Sequence, residues 1–201
     1  MTKTKIIIIS AIGLLSLLSK LALADMPPPK GWYIEGSAGI SNTTDSSFGN
    51  GTSLESSGYG LNLNVGYKFL PYFGLEMGYS RYSRNNINFQ NTTVAKDDPT
   101  SYDITTKIIL PIMDSGFEFY AKLGAVRVSS KITISDQTII DDNGLNIQSG
   151  TTSANNVYYG VGAEYYFMKD SAVHVAWMRA NGNSQTGAQE LTTIGLSVIF
   201  G

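Results

Sequence analysis

The chain has 201 residues, 42% apolar and 15% charged, with 21 glycines, one histidine and no cysteine. That is one domain's worth of chain, and its charge falls well short of the roughly 25% of an average soluble domain, which argues against a conventional cytosolic enzyme. A net charge of −2 with unclustered basic residues leaves no electrostatic footprint for nucleic acid, and the absence of cysteine with a lone histidine excludes disulfides, thiolate sites and all-histidine zinc sites.

Residues 1–24 read as a cleaved signal peptide. Lys3 and Lys5 precede the apolar run Ile6 to Leu18, and Ala22-Leu23-Ala24 supplies the small residues of a cleavage site before Asp25. The run is too short for a membrane-spanning helix, which needs about 20 residues. Residues 25–30 form a proline-rich periplasmic leader, because Pro27-Pro28-Pro29 can join neither a helix nor a sheet interior.

From residue 31 onward no stretch keeps a helical apolar period for three turns, whereas strict period-two alternation recurs. Trp32, Ile34, Ala38 and Ile40 oppose Tyr33, Glu35 and Ser37. Tyr59 to Phe69 and Phe73 to Ser80 split the same way around Pro71, and Tyr102 to Leu110 sets Ile104 and Ile108 against Asp103 and Lys107. In Phe117 to Ala125 the polar face carries Glu118 and Lys122, in Val157 to Phe167 it carries Glu164, and in Val173 to Trp177 it carries His174. Thr193 to Phe200 closes the set. Eight such strands close most economically as an antiparallel up-and-down barrel over residues 31–201.

The apolar face is assigned outward, to lipid. The polar face has about one charge per strand, too few for a solubilising surface, and its glycines suit a narrow lumen. Connections alternate between short turns (70–72, 111–115, 168–171) and long polar segments (42–57, 82–101, 129–156, 180–190), as in outer-membrane barrels with short periplasmic turns and long extracellular loops. Aromatics near strand ends on the outward face, Trp32, Tyr67, Phe69, Phe73, Tyr165, Phe167 and Trp177, are expected at the membrane interfaces.

The run Gly66-Tyr67-Lys68-Phe69-Leu70-Pro71-Tyr72-Phe73-Gly74-Leu75-Glu76-Met77-Gly78-Tyr79 resembles the first periplasmic hairpin of the eight-stranded transmembrane domain of OmpA and its relatives. Gly31-Trp32-Tyr33, Tyr120-Ala121-Lys122-Leu123-Gly124, Gly162-Ala163-Glu164-Tyr165 and Gly195-Leu196-Ser197 extend the likeness over the rest of the chain. The resemblance implies an outer-membrane location amid lipid and lipopolysaccharide, assembly by the barrel-assembly machinery, and a lumen of charged pairs. Family barrels place charges at Glu76, Lys107 and Glu164, and an arginine where this chain has His174. The sequence stops at the eighth strand, so cell-wall anchoring is not carried over, and in that respect the chain resembles the small barrel-only OmpX class.

An eight-stranded barrel is just wide enough to be filled by its own side chains, so the inward charges are expected to pair. The expected lumen network comprises Glu76, Lys107, Lys122, Glu164 and His174, with Glu164 and His174 directly opposed if the 168–170 turn pairs residues whose numbers sum to 338. A narrow gated ion path is the functional alternative to ion-paired packing. Catalysis is not expected, because His174, the only histidine available to activate a hydroxyl, faces the lumen near the periplasmic end. No cofactor or metal is expected. Phe200 resembles the terminal aromatic read by the assembly machinery. Recognition would reside in the external loops, where Lys131 to Ser135 and Thr138 to Ile140, followed by a turn near Asn143-Gly144, read as strand extensions rising above the membrane. The expectation is therefore a monomer with a structural or adhesin-like surface role, protective loops being the plainer reading.

Overall fold

A computed structural model describes residues 29–44, 52–90, 92–112, 115–142, 145 and 147–200. The expected signal peptide, most of the leader and the Asn143-Gly144 turn lie outside the described residues. Ten strands are formed among them: β1 Gly31–Thr44, β2 Thr52–Glu55, β3 Ser57–Leu70, β4 Phe73–Arg81, β5 Asn85–Phe89, β6 Thr92–Pro111, β7 Phe117–Ile134, β8 Gly150–Tyr166, β9 Ser171–Ala180 and β10 Ala188–Phe200. One short helix, α1 Gln137–Asp142, joins them.

Eight of the strands close a ring in which β1 pairs with both β3 and β10, and β6 with both β4 and β7, every ladder being antiparallel. Chain order and ring order coincide once β2 and β5 are set aside. This is the eight-stranded barrel that the alternation demanded. Closure satisfies the backbone of every wall strand, the requirement for crossing a bilayer with strands; no described helix is long and apolar enough to cross one. The pleat sends Ile34, Leu63, Val65, Met77, Ile104, Val161 and Leu196 to an exposed outer wall, and buries Tyr33, Glu35, Asn64, Glu76, Thr105 and Glu164 inside.

The interior is tight enough to dictate glycine at two matched places. The Tyr33 ring lies against Gly66 and the Tyr120 ring against Gly162, where a Cβ would stand 2.4 Å from the ring Cζ in each case. Larger residues there would displace a buried tyrosine.

Two aromatic belts border the outer wall. Trp32 and Tyr67 (5.2 Å between centroids), with Phe69 and Phe73 (5.0 Å), gather at the short-turn end. Tyr79–Tyr102 (5.0 Å) and Tyr159–Trp177 (5.8 Å) mark the other. Of the interfacial set expected from sequence, Trp32, Tyr67, Phe69 and Phe167 are exposed, and Phe73 and Trp177 are half-buried. Tyr165 departs from expectation. It is buried, because the register seats Phe117 opposite it at 4.4 Å and the turn at Gly116 folds back to bond Tyr166.

The long segments depart as well. The described parts of residues 42–57, 82–101 and 129–156 continue the wall strands, with β2, β5 and α1 added, so the barrel rises above its apolar band. Thr138 to Ile140 is helical and not a strand extension: Asp136 Oδ1 accepts from the Ile139 amide at 3.2 Å, the bond of a helix N-cap.

Candidate functional site

Two features stand out, a charged rung across the lumen and an ordered cap above the extracellular end. The rung begins with conflicts that the ladder imposes. Register places Lys107 opposite Lys122 and Glu118 opposite Glu164, like charges in directly facing positions. Opposite charges reach across the lumen to resolve both. Lys107 Nζ contacts Glu35, lies 3.1 Å from Glu164 and 3.8 Å from Glu76; Lys122 Nζ lies 2.8 Å from Glu76 and 3.0 Å from Glu35; Lys68 holds Glu118 at 2.6 Å.

Neutral donors complete the carboxylates. Tyr33 donates to Glu76 at 2.8 Å, Thr105 to Glu76 at 3.3 Å, Asn64 to Glu35 at 3.2 Å, and Ser197 to Glu164. The Tyr120 ring centroid lies 4.3 Å from Lys107 Nζ, a cation–π contact. Every one of these charged residues is buried, so the pairing is obligatory: an isolated charge there would carry a desolvation cost of several kcal/mol. A cavity beside the rung, lined by Tyr33, Lys68, Glu118, Glu164 and Tyr166, holds about 10 Å³, room for about one water. At this level the lumen is closed.

The structure thus brings together Glu76, Lys107, Lys122 and Glu164. His174 is the exception. It does face Glu164 across the β8–β9 ladder, yet its Nδ1 has no hydrogen-bond partner among the described residues, and the Glu164 carboxylate is engaged by Lys107 and Ser197. The expected Glu164–His174 pair is corrected accordingly: the flexible lysine reaches the carboxylate from across the lumen. Glu35, Lys68 and Glu118, which alternation places inside, are full members of the network.

Above the barrel, Ile87 and Val94 from the β5–β6 hairpin pack with Ala95, Ile140 and Ile147, flanked by Phe89, Ile132, Ile134 and Ile139. It is a second apolar core, contributed by β5, β6, β7, α1 and the segment leading into β8, and separate from the buried cluster inside the barrel around Tyr158 and Leu191. Beneath it a polar layer ties the strands together: Thr43 donates to Gln189 at 2.6 Å, Asn85 donates to Thr43 at 2.9 Å and to Asp97 at 3.2 Å, and Ser130 donates to Asp97. The free edge of this sheet is β2, which pairs only with β5 among the described residues.

Burial pushes the Asp97 carboxyl above its ordinary value, against the hydrogen bonds from Ser130 and Asn85. A carboxyl with a raised folded value contributes stability that is full below its unfolded value, about 3.9, and is lost as pH rises through the folded one. The cap amides of Ile87 and Val94 should therefore show higher hydrogen-exchange protection, corrected for intrinsic rate, at pH 4 than at pH 7. Asp97→Asn should flatten that dependence; an unchanged slope in the variant would locate the titration elsewhere.

A model of the outer membrane protein β-barrel domain family matches residues 10–200. No curated protein sequence matches the chain. Among solved structures, the outer membrane protein OprG of Pseudomonas aeruginosa is similar at 13% identity and a TM-score of 0.57, and Neisserial surface protein A at 14% and 0.56, each over 85% of this chain and 97% of the other. Ail, the attachment invasion locus protein of Yersinia pestis, in complex with the heparin analogue sucrose octasulfate, is similar at 15% and 0.50, over 85% of this chain and 99% of Ail. At these identities the likeness is one of fold.

Proposed function

We propose, from the premise that this chain belongs to the outer-membrane β-barrel family, that it is a surface-interaction protein whose barrel is a rigid pedestal for the ordered extracellular cap. The observation that carries this reading is the second apolar core. Loops that merely shield a barrel need no core of their own, whereas Ile87, Val94, Ala95, Ile140 and Ile147 fix a defined surface above the membrane, the kind of scaffolded loop on which recognition concentrates. Its edge strand β2 offers a backbone for strand addition by an extended ligand. One protein of similar fold is an attachment protein crystallised with a heparin analogue, which is consistent with an adhesive role; its ligand is not transferred.

In the same reading residues 1–24 are removed on export, the barrel-assembly machinery reads Phe200, and the protein acts as a monomer without cofactor or catalytic step. The rung of Lys107, Lys122, Glu35, Glu76 and Glu164 favours a structural interior over an ion path. Adhesion of non-adherent Gram-negative cells expressing the protein to epithelial monolayers tests the reading. Wild type should raise adhesion, and Ile87→Asp with Ile140→Asp, which opens the cap core, should abolish the gain at unchanged surface level. Equal adhesion with the cap intact and opened would overturn it.

A further inference from the structure

Inside the barrel, one level above the charged rung, two hydrogen-bond acceptors lean over a glycine with nothing positive between them. Asn64, Gly78 and Asp103 form one cross-strand row, next to the row of Glu76 and Thr105. Gly78 has no side chain to fill the space above it. Asn64 Oδ1 and both carboxylate oxygens of Asp103 converge there, 2.5, 2.5 and 2.7 Å from the point a Cβ would occupy. The Asn64 amide is held in this orientation by its nitrogen, which donates to Glu35 at 3.2 Å and to Asn62 at 2.7 Å. Asp103 is only 5% exposed, yet its Oδ2 has no hydrogen-bond partner and its carboxylate enters no ion pair among the described residues.

The charges of the membrane-embedded lumen do not balance either. Glu35, Glu76, Asp103, Glu118 and Glu164 are five buried carboxylates. Against them stand three buried lysines, Lys68, Lys107 and Lys122, each already committed to the other four acids. His174 leaves its Nδ1 without a partner among the described residues, as an uncharged ring permits. The excess is two negative charges, which a low-dielectric interior does not hold without a counter-charge.

We infer that the space over Gly78 is a binding site for one hard divalent cation of calcium's size, ligated by the Asp103 carboxylate and Asn64 Oδ1, with water completing its shell. The ion lies a little deeper in the lumen than the Cβ point, clear of the Gly78 backbone. Calcium takes oxygen ligands at about 2.3–2.6 Å in irregular geometry, whereas magnesium demands a tight octahedron and sheds its water reluctantly. Sodium, with one charge, meets half of the excess. No group of three acidic or imidazole side chains stands together among the described residues, so a single carboxylate carries the site. Its affinity then falls in the weak range of extracellular calcium modules, about 10⁻⁴–10⁻³ M. Val128, one row nearer the cap, and Tyr82 beyond it belong to an apolar cluster that fills the interior. The ion is therefore a resident part of the lumen, taken up as the barrel closes, and not a passenger on a path. The inference is independent of any role of the cap.

The test is NMR at neutral pH of the intact barrel refolded at stepped calcium concentrations in zwitterionic detergent free of lipopolysaccharide. The Asn64 side-chain amide and the Gly78 and Asp103 backbone amides should shift together and saturate, with half-saturation in the range above. Magnesium and sodium should each need at least about tenfold more. Asp103→Asn, which keeps the shape and removes the charge, should abolish saturation, and Gly78→Ala, whose methyl group takes the space, should weaken calcium at least about tenfold. Asp98→Asn, in the exposed pair with Arg84, should leave the titration unchanged, and heat-shifted gel migration of each variant reports that it has folded. No saturable shift in wild type, an undiminished shift in Asp103→Asn, or an Asp103 carboxyl carbon that stays protonated throughout the titration would overturn the assignment.

Discussion

Lys107→Met should destabilise the folded barrel by about 3–5 kcal/mol, the cost of removing one partner from a buried ionic cluster. Lys107 is the cation that Glu35 and Glu164 share, with Glu76 further off, all of them buried. Methionine keeps much of the volume and none of the charge. Lys122 still serves Glu76 and Glu35, so the carboxylate left most exposed to the loss is Glu164, which keeps the Ser197 hydroxyl and lies between the facing Glu118 and the facing His174. Adding Glu164→Gln to Lys107→Met should accordingly recover part of the loss, a non-additivity that identifies the coupling. Urea unfolding of the barrel in lipid vesicles reads both effects. Full stability in Lys107→Met would mean that the rung contributes packing and no pairing.

The second large effect lies on the outer wall. Ala163→Arg should cost about 2–4 kcal/mol, because Ala163 lies on the outer wall between Phe119 and Val175 on its neighbours, below the Tyr159–Trp177 belt and toward the depth where arginine is most costly in lipid. Ser153→Arg, outward on the same strand but beyond the apolar band, should fall within about 0–1 kcal/mol. The folded fraction recovered from outer membranes measures the contrast. Equal losses at the two sites would remove depth, and with it lipid, from the explanation.

Both predictions rest on faces that alternation alone assigns. Period two placed Glu35, Glu76, Lys107, Lys122 and Glu164 inside and Leu63, Ile104 and Val161 outside without any long-range information, and the short turn at residues 168–170 was enough to seat Glu164 opposite His174. What alternation could not supply is which lysine meets which acid. Lys107 and Glu35 are 72 residues apart and Lys68 and Glu118 are 50 apart; their meeting depends on how strands are staggered around the ring, a property of closure and not of any one strand. Tyr165 was misplaced because the turn that covers it comes from the neighbouring hairpin. The cap core is hidden for a related reason: Ile87, Val94 and Ile147 come from separate stretches, each too short to read as an element of its own, and Ile140, in a run that alternation reads as a strand, lies in a helix.

The apolar face of this barrel is its lipid face, and the absence of native cysteine allows that assignment to be tested position by position. Spin labels on single cysteines at positions 61–65 and 67 of β3, in the barrel assembled in bilayers, report contact with lipid-dissolved oxygen by electron paramagnetic resonance. Leu61, Leu63, Val65 and Tyr67 should show high oxygen accessibility and Asn62 and Asn64 low, a period of two. The reverse phase, or accessibility without alternation, would contradict the claim.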